Sequence, residues 1–467
     1  MALERIVAEK RAAVAARMRA VPLAAVRAGV GRAERDFEAA LRAGPTAFVL
    51  ECKRASPSAG ELRPGFDPAA IARAYAPFAS AVSVLTDEPF FGGSLAHLGA
   101  VRAASPLPVL CKDFVVDPYQ VYEARRAGAD SILLMCSVLD DAGLGACLAA
   151  ARELGMEPLI EVHDEAELAR ALASGARIVG INNRDLGTLA VDLGTTERLA
   201  PLVPPGVVRV CESGIEGHRG VVRLRRHVDA FLVGTALMRA ERLDEAVRSL
   251  VFGRVKICGL TRPRDAVLAH ASGASYGGLV LWPGSPRAVT LERARAVRDA
   301  APLRWAGVFV DAPEDEVSRA AEALALDVVQ LHGEESAAFA ERLRERFRGR
   351  AEIWKAARVR DELPPPARAA DAGADRLLLD AYHAGVPGGT GERFDWRHAR
   401  THEEREALVL GGGLTAACAA EADAIGCFAL DVSSGVERAP GEKDAARVGA
   451  FFAALRGRGR DAAGAGP

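Results

Sequence analysis

Two short stretches of this chain place reactive side chains where an apolar run ends. In AFVLECK, residues 47–53, the hydrophobic start gives way to Glu51 and Lys53. In RVKICG, residues 254–259, Lys256 and Cys258 stand in the same relation. Residues i and i+2 of a strand project from one face, so each pair is aimed at a single place. A carboxylate beside an ammonium can supply a general base and a general acid. A buried Cys is ordinarily an inert small hydrophobe, but at a strand end beside a Gly turn a thiol of lowered pKa could act as a base. Such charges are costly to bury alone, so further polar groups must converge on the same spots.

The chain supplies them. Other apolar runs of the first half end in Lys112 and Asp113, in Glu161, in Asn182 followed by Arg184, in Glu212 and Ser213, and in Gly234 and Thr235. In the second half, His332 and Asp380 close two runs, and a long Gly-rich loop, AYHAGVPGGTG, follows Asp380. That loop reads as a cover over an acid. Any one of these charges alone would read as a solvated or capping residue; their convergence needs a common cause. The Gly-containing turns in CESGI and LVGTALM are places where backbone N–H groups grip a phosphate.

The elements that must carry these residues repeat. Eight short apolar runs begin at residues 47, 81, 107, 131, 158, 178, 207 and 229, separated by stretches of helical period. Eight more begin at 254, 276, 305, 327, 352, 375, 407 and 427. Strands alternating with helices, apolar throughout, mean parallel β and βαβ units. Eight units per half is the count of a (β/α)8 barrel, whose chemistry sits at the C-terminal ends of its strands. The expected fold is therefore α/β, two tandem TIM barrels, the first with an N-terminal helical extension. A doubly wound sheet is the weaker reading, because neither half has a GxGxxG after its first strand. The expected division is 1–252 and 253–458, with 459–467 a fraying tail.

Bulk properties agree with this plan. At 467 residues the chain has room for two barrels, and a net charge of −2 with 5% aromatics argues against nucleic acid. The eight cysteines are scattered without a CxxC pair and read as reduced. No apolar run reaches the ~18 residues of a membrane span. The N-terminal stretch is Arg-rich, as a transit peptide would be. Glu4, Glu9 and the helical spacing of Leu3, Ile6, Val7 and Val14 favour instead a folded helix of a cytoplasmic protein.

ECKRASPS, CKDF, PLIEVHDE, GINNRDL, ESGI and LVGTALM, in this order, resemble the signature stretches of indole-3-glycerol-phosphate synthase over residues 1–250. The resemblance implies closure of an indole ring from 1-(2-carboxyphenylamino)-1-deoxyribulose 5-phosphate, with loss of carbon dioxide and water. It implies Lys112 as the general acid, and Glu161 in the proton transfers of dehydration, assisted by Glu51 and Asn182. Glu212 joins this catalytic group, as does Lys53, which faces the substrate phosphate or carboxylate and could also act as an acid. Ser213, Gly214, Gly234 and Thr235 hold phosphate, with Arg184 and Ser58 nearby. Phe91, Phe114 and Leu186 could line the aromatic pocket, or be plain core.

KICGLTR, WPGSPRAV, VQLHGEE, LLLD…GGTGERFDW, LGGGL and DVSSGVE resemble phosphoribosylanthranilate isomerase over residues 254–455. That likeness implies an Amadori rearrangement in which Cys258 removes the C2′ proton and Asp380 protonates the ring oxygen. Arg287 pairs with the substrate carboxylate and Asp431 touches a sugar hydroxyl. Gly412, Gly413, Ser433 and Ser434 bind phosphate, and His332 has a structural hydrogen-bonding role at the site. Together the two likenesses imply successive steps of tryptophan biosynthesis on phosphosugar–anthranilate substrates. They imply no cofactor or metal and no nucleic-acid or membrane partner, and they are compatible with a monomer. A histidine-pathway isomerase would need a pair of strand-end Asp residues instead, and a non-catalytic barrel would lack a catalytic residue; none is missing.

Overall fold

The computed structural model describes residues 2–57, 60–360, 362–365, 367–382 and 393–457. Ser58, most of the loop after Asp380 and the tail from 458 lie outside them. The chain forms two compact units, Met1–Val247 and Arg248–Gly457. The division falls inside the helix Leu243–Phe252, a few residues before the boundary expected from the strand count.

The first unit holds a closed barrel of eight parallel strands. They are β1 (Ala47–Cys52), β2 (Ala81–Leu85), β3 (Val109–Lys112) and β4 (Ser131–Met135), then β5 (Leu159–Val162), β6 (Ile178–Asn182), β7 (Val208–Glu212) and β8 (Ala230–Val233). Strand β1 pairs with both β2 and β8, which closes the ring. The second unit repeats the plan. Its strands are β9 (Val255–Ile257), β10 (Tyr276–Val280), β11 (Arg304–Phe309) and β12 (Val328–Leu331), then β13 (Glu352–Val359), β14 (Arg376–Ala381), β15 (Val409–Leu410) and β16 (Ala429–Val432).

Side-chain parity explains how the sites arise. Ala47 and Val49 on β1, Leu110 on β3, Leu159 on β5, Ile178 on β6, Val208 and Val210 on β7 and Ala230 and Leu232 on β8 fill one buried interior cluster. Phe37 and Leu41, from the helix Phe37–Arg42 before β1, complete it. Two residues further along its strand, the same inward row reaches Glu51, Lys112, Glu161, Glu212 and Gly234, and four residues further it reaches Lys53 and Asn182. The second barrel is built alike. Tyr276, Ala306, Val328, Trp354, Leu378, Val409 and Ala429 form the core layer, and Cys258, Val280 and Val308 form a separate apolar layer. The inward row of β12, β14 and β16 then turns polar at His332, Asp380 and Asp431.

The N-terminal residues form a helix, α1 (Ala2–Ala20). Ile6 and Val14 are buried on one face, and Lys10 lies buried between them in sequence at i+4 spacing. Its ammonium is 2.7 Å from Asp87 and 2.6 Å from Asp113, which follow β2 and β3. Burial opposes the Lys10 charge, but Asp113 and Asp87 outweigh it and raise its pKa. Among the described residues no helix is long and apolar enough to cross a membrane.

Candidate active sites

In the first barrel, Lys112 Nζ is 2.8 Å from Glu212 Oε2 and 3.2 Å from Glu161 Oε2. The other Glu161 oxygen accepts a hydrogen bond from Asn182 Nδ2 at 3.0 Å. Lys53 Nζ lies 2.7 Å from Glu51 Oε1. The carboxylates of Glu51, Glu161 and Glu212 are all buried. The Glu51 charge also acts on Lys112, which ties the end of β1 to this network.

The arrangement separates the two carboxyl groups nearest Lys112. Burial pushes Glu161 up, but Lys112, His163 and Asn182 outweigh it and hold it below the ordinary carboxyl range. Burial pushes Glu212 up as well; Lys112 only partly offsets it and Glu161 adds repulsion, leaving it raised to about 7. Burial disfavours the Lys112 charge, yet Glu212, Glu161 and Glu51 together raise its pKa above the ordinary value. A cation, an anion and a carboxyl poised near neutrality within hydrogen-bond reach can move protons both ways.

Two strand ends carry unusual backbone turns. Ser213 and Gly214 both have left-handed backbone, φ 63° and 83°. For Ser213 that conformation costs about 1–3 kcal/mol and must be held by its surroundings. Asn183 holds it: its side-chain amide donates to the carbonyls of Glu212 and Ser213 at 3.0 and 3.1 Å. Thr235 opens the short helix Thr235–Met238 just beyond Gly234. Arg184 donates to the Leu189 carbonyl at 3.0 Å. Phe91 and Phe114 have ring centroids 6.2 Å apart, and Phe114 and Leu186 pack on the barrel core.

In the second barrel, Cys258 and Asp380 line one cleft of about 730 Å³, its open mouth included. Arg287, His332, Gly412, Gly413, Asp431, Ser433 and Ser434 line the same cleft. Asp380 Oδ2 is 3.4 Å from His332 Nε2, and His332 Nδ1 is 2.9 Å from Gln330 Nε2. Gly412 and Gly413 have left-handed backbone, φ 73° and 66°. Ser433 Oγ donates to the Cys258 carbonyl at 3.2 Å.

Two residues expected to meet substrate already have protein partners. Both Asp431 oxygens are 2.9 Å from Lys256 Nζ, and Lys256 is fully buried. Arg287 is bound to Glu437 through Nε at 3.0 and 3.1 Å and through Nη2 at 2.8 Å. Burial raises the Cys258 pKa, and Lys256 only partly counters it. All eight cysteines are free, six of them buried.

Four further charged residues near these sites have no role legible in the sequence: His163 and Lys256 on the strand rows, and Glu437 and Lys443 in a small two-stranded sheet after β16. His163, two beyond Glu161, is 3.4 Å from Glu161 Oε1. Lys256 shares one face with Cys258, and its partner Asp431 comes from a strand 175 residues away. Glu437 and Lys443 are 2.8 Å apart, and Lys443 reaches the Cys258 carbonyl at 2.5 Å. Among the described residues no group of three or more His, Cys, Asp or Glu side chains is arranged to hold a metal ion.

Residues 3–250 match the family described as indole-3-glycerol phosphate synthase. Residues 255–454 match the family described as N-(5'-phosphoribosyl)anthranilate isomerase. The tryptophan biosynthesis protein TrpCF of Vibrio cholerae is 46% identical over 454 residues, covering 97% of this chain and 96% of that protein. TrpCF of Salmonella typhi is 45% identical over 455 residues, covering 97% and 99%. Among solved structures, phosphoribosyl anthranilate isomerase from Thermus thermophilus is 41% identical, with a TM-score of 0.39, covering 43% of this chain and 98% of that one. With both families matched in this order along one polypeptide, the chain belongs to the bifunctional indole-3-glycerol-phosphate synthase/phosphoribosylanthranilate isomerase family of tryptophan biosynthesis.

Proposed function

We propose that Cys258 and Asp380 catalyse the isomerisation, and that Lys112, Glu161 and Glu212 catalyse the ring closure. In the C-terminal barrel, Asp380 gives a proton to the furanose oxygen, and the ring opens to an imine. Cys258, as thiolate, takes the proton from C2′; the resulting enolamine ketonises to 1-(2-carboxyphenylamino)-1-deoxyribulose 5-phosphate. Burial makes that thiolate costly, so the Lys256 ammonium beside it is the local source of stabilisation. The substrate carboxylate meets Arg287, Asp431 receives a sugar hydroxyl, and the phosphate meets the backbone turn at Gly412 and Gly413 with Ser433 and Ser434.

In the N-terminal barrel, the aryl carbon bearing the carboxylate attacks C2′ while Lys112 protonates the carbonyl oxygen. Carbon dioxide leaves from that aryl carbon. The new hydroxyl then departs as water, which needs a proton delivered to its oxygen and another removed from C1′. Glu161 and Glu212, with opposite protonation tendencies on the same ammonium, are suited to those transfers, with Glu51 and Asn182 assisting. Lys53 answers the substrate's negative charge. Ser213, Gly214, Gly234, Thr235 and Arg184 receive the phosphate, and Phe91, Phe114 and Leu186 face the aromatic ring. Both substrates are polar phosphate esters, which suits a cytoplasmic enzyme.

The observation that carries the reading is the single ammonium of Lys112 held between Glu161 and Glu212. The test supplies phosphoribosylanthranilate to the purified protein and follows indole-3-glycerol phosphate. Cys258→Ala should abolish isomerisation and spare ring closure from the carboxyphenylamino substrate, and Lys112→Ala should do the reverse. Loss of both activities in either folded variant would overturn the assignment of two independent sites.

A further inference from the structure

Glu161 is approached on its Oε1 side by a group that the proposed reaction leaves unused. His163 Nε2 is 3.4 Å from Glu161 Oε1, and its Nδ1 is 3.0 Å from Glu167 Oε2. The same Glu167 oxygen accepts the His163 backbone N–H at 2.9 Å. Glu167 lies in the first turn of the helix α2 (Glu165–Ala173), where its own N–H is capped by Asp164. The imidazole is therefore fixed from behind by the helix that follows β5 and faces the reacting carboxylate in front.

A ring between two carboxylates is best served with both nitrogens protonated. Burial opposes that charge, but the contacts with Glu161 and Glu167 outweigh it and raise His163 to about 10. The Nε2 atom is buried and makes no well-aligned hydrogen bond, so at 3.4 Å it acts on Glu161 through charge. Glu212 has no such support: its Oε1 is buried without a hydrogen-bond partner. The two carboxyl groups that share Lys112 are thus made unequal by His163.

We propose that His163, held by Glu167, is a positioning residue that keeps Glu161 ionised and leaves Glu212 as the carboxyl that carries the exchangeable proton of the Lys112 cluster. The proposal rests on the synthase reading of this barrel. The other titratable groups that act on this cluster are Lys112 on β3, Glu51 on β1, Asp185 in the loop after β6, and Arg170 on α2 with Cys136 after β4. All of them remain when the ring is replaced.

The test compares wild type, His163→Gln and Glu167→Gln. It measures the pH dependence of ring closure from the carboxyphenylamino deoxyribulose phosphate, with isomerase activity as the control for folding. Losing the cation lets Glu161 take a proton more readily. The acidic limb should therefore move up by about one pH unit in His163→Gln, a tenfold change in proton affinity, and by less in Glu167→Gln. Nitrogen-15 spectra of the histidine side chains should show one ring doubly protonated through pH 9 in the wild type, and absent in His163→Gln. Profiles that superimpose after scaling by a constant would overturn the proposal, as would a His163 that titrates in the ordinary histidine range. If His163→Gln loses isomerase activity too, the wild-type spectra and Glu167→Gln decide alone. A wild type that closes no ring refutes the synthase reading instead, and the spectra still report the pairing.

Discussion

Gly180 and Glu212 depend on each other: a β-carbon at position 180 would lie 2.0 Å from Glu212 Oε1. Gly180 is on β6 and occupies the inward row between Ile178 and Asn182, so the missing side chain is the space the carboxyl fills. Gly180→Ala must push Glu212 away from Lys112 or deform β6. Overpacking of this kind costs about 1–3 kcal/mol. Ring closure should fall by at least about tenfold, the factor that ~1.4 kcal/mol of lost positioning represents, while isomerase activity stays at the wild-type level. Retained ring closure would show that the Glu212 contact is dispensable.

Glu212 also makes a signed prediction about stability. Its folded-state pKa, about 7, lies above the ordinary value of 4.5. A group raised in the folded state contributes stability fully present below its unfolded pKa and lost as pH rises through the folded one. Wild type should therefore lose stability between about pH 4.5 and pH 7 on account of this residue, and Glu212→Gln should not. The melting-temperature difference, variant minus wild type, should be more positive at pH 8 than at pH 5. A difference that is flat with pH would place the proton elsewhere.

The parity of the strands is what made most of the site readable. Several residues that chemistry needs stand two positions beyond a core residue, and that spacing is visible in the letters for Glu51, Lys112, Glu161 and Glu212, whereas Asn182 stands four beyond Ile178. His163 and Lys256 lie in the same rows, two positions from Glu161 and Cys258, but the letters show no partner for either. Partners across the barrel were not legible. Arg287 and Glu437 are separated by 150 residues, and no periodicity links them. Lys10 was hidden for another reason. A lysine in an amphipathic helix looks solvated, and its two partners, Asp87 and Asp113, sit on loops whose approach to α1 depends on tertiary packing.

The pair Lys256 and Asp431 should govern the reactivity of Cys258. Lys256 is fully buried and its charge is held chiefly by Asp431, with Cys258 contributing. Lys256→Met removes the cation that lowers the Cys258 pKa, so the thiol should be harder to ionise. The acidic limb of the isomerase pH profile should shift upward and the turnover at pH 7 fall by about tenfold or more, the cost of about one unit in thiol pKa. Adding Asp431→Asn removes the unpaired carboxylate, which itself raises the Cys258 pKa, and should restore stability and move the limb part of the way back. An unshifted limb in Lys256→Met would remove Lys256 from any part in activating the thiol.

Arg287 is presented to its cleft by a carboxylate that is itself clamped. Glu437 binds two nitrogens of the guanidinium and also Lys443, which holds the Cys258 carbonyl. Burial would raise Glu437, but Arg287 and Lys443 outweigh it and depress its pKa. A depressed carboxyl contributes stability that is present above its unfolded pKa and is lost as pH falls through the folded one. Acidification below the ordinary carboxyl range should therefore lower the melting temperature of wild type more than that of Glu437→Gln. For binding, Arg287→Lys loses the planar fork that fits a carboxylate. Its KM for phosphoribosylanthranilate should rise about tenfold with kcat changed less than about threefold, the pattern of a lost ground-state contact. Glu437→Gln, which loosens the fork but keeps it, should raise KM by less. A fall in kcat at unchanged KM in Arg287→Lys would mean that the guanidinium acts on the transition state and not on the bound carboxylate.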